Sequence, residues 1–414
     1  MTDTHPLPRV AAEHLPVQPA VRSVLQTAAP GVLPSVSPSG QPGVPSGTVP
    51  RAMRSVGIEE ELLLVDPHSG RPVPVAGSLV RRRPVGAGSY SGLDAELQQE
   101  QLETASPPRT RLRDLAVDLR RLRRSADDAA RSVGARVAAL ATSPLPVAPR
   151  LTPTHRYRAM SRQYGLTCAE QLTCGCHVHV AVGSDEEGVA VLDRVRPWLA
   201  VLTALAANSP YWQGNDTGYA SYRTQAWSRW PSSGPTDVFG SAAAYRDVVD
   251  RMVSTGSLLD VAMVYFDARL SWHYPTVELR VADVCLDVED AVLVAGLARA
   301  LVDTAAEQWR AGVPPSDVPT SVLRLAAWRA SRSALADHLV HPLDQQPRSA
   351  GVVVQALLDH VRPALEANGD LAHVEALLDG VLTRGCGAVR QRAVAAATGR
   401  LVDVVADAVE RTAA

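Results

Sequence analysis

Three segments of the chain alternate apolar and ionisable residues with a period of two, and this constrains the fold more than any other feature. In "SVGIEEELLLVD" (55–66), Gly57, Glu59, Glu61, Leu63 and Val65 fall on one side, and Ile58, Glu60, Leu62 and Leu64 on the other. In "TCGCHVHVAVG" (173–183), His177 and His179 alternate with Cys176, Val178 and Val180. In "PTVELRVADV" (275–284), Glu278 and Arg280 alternate with Val277, Leu279 and Val281. A period of two belongs to a β-strand whose faces meet different surroundings. One such strand is most often the wet side of an antiparallel sheet. Three that carry Glu-Glu, His-His and Glu-Arg point instead to a shared polar basin.

The segment "DAELQQEQLETAS" (94–106) adds Glu96 and Glu103, seven residues apart around an apparent turn. Two carboxylates about 7 Å apart at an effective dielectric near 20 repel by roughly 2 kcal/mol, so such a group calls for cations between its members. Oxygen ligands with one imidazole suit Mg²⁺ or Mn²⁺ better than zinc. Cys174-Gly175-Cys176-His177 invites a zinc reading, but Cys176 and His177 point to opposite faces of a strand. No second Cys/His pair follows at finger spacing. A basin of two or more divalent cations with Arg nearby is the equipment for phosphoryl transfer from a nucleotide. The chain has neither a GxxxxGK[ST] loop nor a nucleophile elbow, so the chemistry is not that of a P-loop or a serine hydrolase.

Along the chain, residues 1–52 are Pro/Ser/Val/Ala-rich without a sustained period, which predicts a disordered tail. Ordered structure is expected from Met53, which would itself make a natural start, as a single catalytic domain over 53–414. Residues 111–142 carry apolar residues at helical spacing, with an Arg-rich stretch expected on the solvated face. Helices are also expected at about 187–207 and 241–255, and almost throughout from 289. Between them lies "NSPYWQGNDTGYASYRTQAWSRWPSSGP" (208–235), long for a structureless connection and carrying six Trp or Tyr in a chain only 4% aromatic. Such a loop is expected to pack on something, and a cover over the polar face of the sheet is the natural place. Strands first and helices later make this an α+β chain rather than alternating βαβ units.

Bulk properties exclude more than they assign. With 41 Lys+Arg against 43 Asp+Glu, the net charge of -2 gives no reason to expect nucleic acid or an anionic membrane as partner. No run of about 18 apolar residues is present. The N-terminus lacks a secretory pattern, and five cysteines without framework spacing favour reduced thiols, so a cytoplasmic location is expected. The choice between a monomer and a homodimer is left open.

The segments "GIEEELLLVDP", "GCHVHVAV", "ANSPYWQGNDTGYASYR" and "TVELRVADV", with "GCGAVRQRA" near the end, resemble the carboxylate-amine ligase family in order and over nearly all of the ordered chain. The resemblance implies an antiparallel sheet forming a funnel-shaped active site of the glutamine synthetase/guanido kinase type, packed with helices. It implies ATP-dependent amide formation with Mg²⁺ (or Mn²⁺), joining the γ-carboxylate of L-glutamate to the amine of L-cysteine through an acyl phosphate. Carried over by position, Glu59 and Glu61 match the first metal-binding pair. Glu96 and Glu103 match two further acidic residues, with Glu96 often an aspartate in the family. His177 matches the nucleotide-metal histidine, and Glu278 the late carboxylate. Arg223 and Arg280 match arginines near the transferring phosphoryl group and the substrate carboxylate. Thr217, Tyr219 and Trp227 lie in the matching substrate loop. His179 is left to bond the sheet or loop. Two readings compete on the same residues: another metal-dependent enzyme (an amide hydrolase or a phosphagen-type kinase), and a non-catalytic binding homologue.

Overall fold

The strand of residues 56–65 is ten residues long, too long for one neighbour to cover, and the sheet is built around it. The computed structural model describes residues 53–81 and 93–414; the expected tail, residues 1–52, lies outside the described residues. In chain order the strands that matter are β1 (Val56–Val65), β2 (Leu93–Ala95), β3 (Gln101–Ala105), β4 (Arg136–Ala138), β5 (Gly175–Ala181), β6 (Tyr211–Trp212), β7 (Asn215–Asp216), β8 (Ala268–Leu270) and β9 (Thr276–Asp283). The sheet runs β2-β3-β1-β5-β9-β8, with β4 filling the stretch of β1 that β5 leaves open. All of its pairings are antiparallel.

The register does what the alternation foretold. Glu61 pairs with Glu103, Glu59 with His177, His179 with Glu278, and Glu278 with Arg269. These side chains share one face. On the other, Ile58, Val178, Val180, Val277 and Leu279 share a core with Val292, Leu297 and Leu301 of the helix Val288–Arg310. Each fully buried Val or Leu there contributes about 1.5–3 kcal/mol, so the apolar face fixes the register of the polar one. A bulge between Cys176 and Val178 in the β5–β9 ladder leaves two residues of β9 opposite His177. Bulges of this kind re-aim side chains beside functional sites, and here the re-aimed residue is Arg280.

Glu60 breaks the apolar pattern of its face and is fully buried. Its carboxylate takes a two-pronged contact from Arg123, at 2.9 and 2.6 Å, and Arg123 also donates to the carbonyls of Cys285 and Leu286. The Arg-rich stretch, expected on the solvated face, is therefore not solvated throughout. Arg123 points inward because its counter-charge waits there.

The helix expected over 111–142 ends earlier. It spans Leu112–Arg131, turns at Gly134 (φ 79°), and continues as β4. Asp127 secures that turn by accepting from Arg136 and from the Val137 amide. The next expected helix breaks at Pro197 into Asp185–Val195 and Leu199–Ala206. The helix expected around 241–255 is Ala242–Ser254, and the segment after 288 is mostly helical, interrupted by a connection at 311–319 and a short hairpin at 338–349. Among the described residues no helix is long and apolar enough to cross a membrane.

Candidate active site

β1, β3, β5 and β9 deliver their ionisable residues to one cavity of about 320 Å³, floored by the polar face of the sheet. Two groups of potential ligands stand in it. Glu59, His179 and Glu278 form one; Glu61, Glu96 and Glu103 form the other, and within each group the ligand atoms lie within 4.8 Å of one another. His177 borders the first group, with Nδ1 3.8 Å from Glu59 and 4.0 Å from Glu278. His179, expected to serve the sheet, does that through Nδ1, 3.0 Å from the Thr276 hydroxyl. Its Nε2 turns into the cavity, 3.3 Å from Glu59 but out of hydrogen-bond alignment.

The two groups differ electrostatically. Burial pushes the Glu59 carboxyl up, but the imidazoles of His177 and His179 outweigh it and hold it well below its ordinary value. Burial likewise opposes ionisation of Glu278, and the charges of Arg280 and Arg269 overcome it. In the second group the charge of Arg280 reaches Glu96 but does not outweigh burial and the neighbouring carboxylates. Burial and the Glu61 charge push Glu96 up to about 7, and burial with the charges of Glu96, Glu59 and Glu61 raises Glu103 well above its usual range. Burial and Arg280 lower the His177 imidazole, leaving it a neutral ligand type.

Three carboxylates held against one another, with the buried Nε2 atoms of His177 and His179 lacking hydrogen-bond partners, fit hard divalent cations. All five cysteines are free and buried, and Cys176 lies in the core behind His177. The zinc reading finds no support in their placement.

The segment 208–235 is a folded element rather than a bare loop. β6 and β7 form a hairpin whose two-residue turn, Gln213 and Gly214, has positive φ at both positions (51° and 87°). A helix, Tyr222–Trp227, follows. Asp283, at the end of β9, clamps both ends of this unit. It accepts from the Asn208 amide at 2.8 Å, the Ser209 hydroxyl at 2.7 Å and the Ser221 hydroxyl at 2.8 Å. Ser209 in turn accepts from the Arg223 amide.

Arg223 is thereby held over the sheet, 2% exposed, with its guanidinium carbon 5.6 Å from the Trp227 ring centroid. Arg280 lies 5.8 Å from the same ring and 5.9 Å from Tyr265. Trp227, Trp230 and Tyr265 form an aromatic wall, with centroids 5.0–6.5 Å apart.

Of the expected site residues, Glu59, Glu61, Glu96, Glu103, His177, Glu278, Arg280 and Trp227 line the cavity. Arg223 lines a neighbouring one across the aromatic wall. Thr217 and Tyr219 line neither. The Thr217 hydroxyl closes on the Pro210 carbonyl, and Tyr219 accepts from Trp328 beneath the Arg332 guanidinium, because the hairpin carries both away from the sheet. Sequence reasoning missed Arg269, Tyr265 and Asp267. The polar alternation Asp267-x-Arg269-x-Ser271 was the available signal for two of them.

Gly175, opening β5, shows how tightly this corner is built. Its amide donates to Glu61 at 2.6 Å, and a methyl group there would stand 3.0 Å from His177 Nε2 and overlap the Arg223 guanidinium. Gly175→Ala is expected to cost about 1–3 kcal/mol in urea unfolding. Gly380→Ala, in a helix with nothing within 4 Å, should gain about 0.5–1 kcal/mol.

Residues 55–407 match the family described as glutamate-cysteine ligase family 2. A protein of Streptomyces coelicolor provisionally named glutamate–cysteine ligase 2 is 52% identical over 362 residues, 87% of this chain and 100% of that one. A relative from Paenarthrobacter aurescens, provisionally named glutamate–cysteine ligase 2-1, is 50% identical over 366 residues, 87% of this chain and 95% of its own. Among solved structures, a glutamate–cysteine ligase from Francisella tularensis in complex with AMP superposes with a TM-score of 0.63 at 13% identity, over 88% of this chain and 90% of that one. A bifunctional glutathione synthetase from Pasteurella multocida gives 0.62 at 18%, over 87% of this chain and 52% of that one. At these identities the structural likeness speaks for the mixed helix and antiparallel-sheet fold alone.

Proposed function

The chain belongs to glutamate–cysteine ligase family 2, and on that premise we propose that it is an ATP-dependent ligase joining the γ-carboxylate of L-glutamate to the amine of L-cysteine. The polar face of the sheet, in this reading, is the wall of a funnel of the glutamine synthetase type. The observation that carries the proposal is the pair of ligand groups side by side on that face, with Arg280 and Arg223 at one end.

The chemistry follows from a leaving-group problem. A carboxylate does not react with an amine because oxide would have to leave. Transfer of the γ-phosphoryl group of ATP to the carboxylate makes an acyl phosphate, from which phosphate departs when the amine attacks. Mg²⁺ or Mn²⁺ held by Glu59, His179 and Glu278, with His177 beside them, and by Glu61, Glu96 and Glu103, would neutralise phosphate charge. Arg280, always protonated, stabilises charge on the transferring group without exchanging a proton. Trp227, Trp230 and Tyr265 keep water from the acyl phosphate. A slot of about 250 Å³ with largely apolar walls adjoins Glu59 and His179 and includes Gly57, Pro108 and Tyr274. It suits a nucleoside base, which would bring the phosphates over the first ligand group.

Incubation with ATP, Mg²⁺ and a panel of acids and amines, read by mass spectrometry, tests the reading. A ligase forms ADP, phosphate and an amide in equal amounts, only when both acid and amine are present. A phosphorylated stable product would favour a kinase instead. Arg223→Lys keeps the charge but loses the planar fork, and is expected to lower turnover at least about tenfold, roughly 1.4 kcal/mol, with little change in melting temperature.

A further inference from the structure

Across the aromatic wall from the carboxylate basin lies a second cavity, of about 330 Å³, which shares Trp227, Trp230, Tyr265 and Arg280 with it. Asp267 stands on its floor. The residue sits one step before β8, its carbonyl accepting from the Arg280 amide at 2.9 Å, so it follows Arg269 in the two-residue alternation of the basin face. Among the described residues its carboxylate makes no hydrogen bond and no ion pair. Arg223, on the same cavity, is buried, has no ion-pair partner among the described residues, and leaves Nε without a hydrogen bond. Arg324, on the exposed side of the helix Thr320–Ser333, closes the rim.

A carboxylate and guanidinium groups kept apart, none of them ion-paired among the described residues although Arg223 donates to the Arg280 carbonyl, around a partly aromatic space is the complement of a zwitterion. A simple anion would meet the arginines but be repelled by Asp267, and a simple cation the reverse. Burial pushes the Asp267 carboxyl up to about 7, countered only in part by Arg324 and Arg223, so a fixed cation beside it is wanting.

We propose that this cavity holds the α-amino-acid end of a substrate, with Asp267 receiving the ammonium and Arg324, beside Arg223, the α-carboxylate. The remainder of the substrate then passes Arg280 into the basin. This direction rests on the ligase reading; the zwitterion site does not. The amino acid that fits is the carboxylate donor, whose distal carboxylate reaches the basin; the acceptor's own α-amine must stand in the basin, without its extra proton, to attack the acyl phosphate.

Titration calorimetry with ADP and Mg²⁺ present tests the site. The ligand pairs are L-glutamate with glutarate, and L-cysteine with 3-mercaptopropionate, each pair differing by the ammonium. For the glutamate pair the wild-type protein should prefer the ammonium-bearing member by at least about 100-fold, and Asp267→Asn should cut that preference below about tenfold. An Asp267-dependent preference shown by the cysteine pair alone would put the attacking amine outside the basin and overturns the proposal. Equal affinities for L-glutamate and glutarate, no binding of L-glutamate to the wild type, or a preference that survives in Asp267→Asn overturns the proposal. Arg324→Gln guards against a folding defect in the first variant. It should weaken the same amino acid about tenfold and leave its α-amide unchanged, and unchanged affinity for both overturns the proposal independently. Ammonium-dependent binding without ATP-dependent coupling would retain the site and reject the ligase; coupling without Asp267 dependence would do the reverse.

Discussion

Glu103→Gln is expected to raise the stability of the metal-free protein at neutral pH while lowering ATP-dependent turnover at least about 100-fold, roughly 2.7 kcal/mol of transition-state stabilisation. The two effects share one cause. Burial and the neighbouring carboxylates raise the folded-state carboxyl of Glu103 well above 4.5, and that of Glu96 to about 7. A raised carboxyl keeps its proton in the folded state while the unfolded chain has lost it. Stability therefore falls as pH rises from about 4.5 towards the folded value, at up to about 1.4 kcal/mol per pH unit for each group. Glutamine removes one of these groups, so its advantage over the wild type should be small at pH 4.5 and grow towards pH 7. Saturating Mg²⁺ should reverse the order, because only the wild type retains the full ligand set. A variant no more stable than wild type at pH 7 without metal would show that the cluster is not repulsive. Glu278 should behave differently. It is ion-paired to Arg269 and Arg280, so Glu278→Gln leaves the buried Arg280 and the half-buried Arg269 without their counter-charge and costs stability along with activity.

Arg123→Ala is expected to lower unfolding free energy by about 3–5 kcal/mol, read as a fall in the urea midpoint at constant slope. The variant leaves the Glu60 carboxylate, fully buried, without its counter-charge and frees the carbonyls of Cys285 and Leu286. The double change Glu60→Met with Arg123→Leu removes both charges and should recover most of that loss, since a buried pair often does no better than well-packed apolar residues. If the single variant proved as costly as the double, the pairing would not be what holds Arg123 inside.

What could be read from the sequence was whatever the two-residue period carries. β1, β5 and β9 were legible with their facing residues, because one face is core and the other is not, but His179, left to the sheet or loop, stands in the first group of potential ligands, with His177 at its border. β4 was hidden because three residues hold too little period, and "ARVAAL" continues a helical pattern equally well. Arg123 was misassigned because a charged helical residue is ordinarily outside; the signal to the contrary was Glu60, a charge on an otherwise apolar strand face. Thr217 and Tyr219 were drawn into the site by their place in the segment 208–235. The hairpin within that segment, set by Gln213-Gly214, sends them away while the following helix brings Arg223 and Trp227 in. Distances in sequence do not reveal such a reversal.

The central claim is that the basin activates a carboxylate by phosphorylating it, and an isotope carries that claim directly. L-glutamate with both γ-carboxylate oxygens labelled with the heavy isotope is incubated with ATP, Mg²⁺ and L-cysteine, and the released phosphate is analysed by mass spectrometry. An acyl phosphate requires one labelled oxygen to leave with each phosphate formed, in step with the amide. Amide formed alongside unlabelled phosphate would contradict the account.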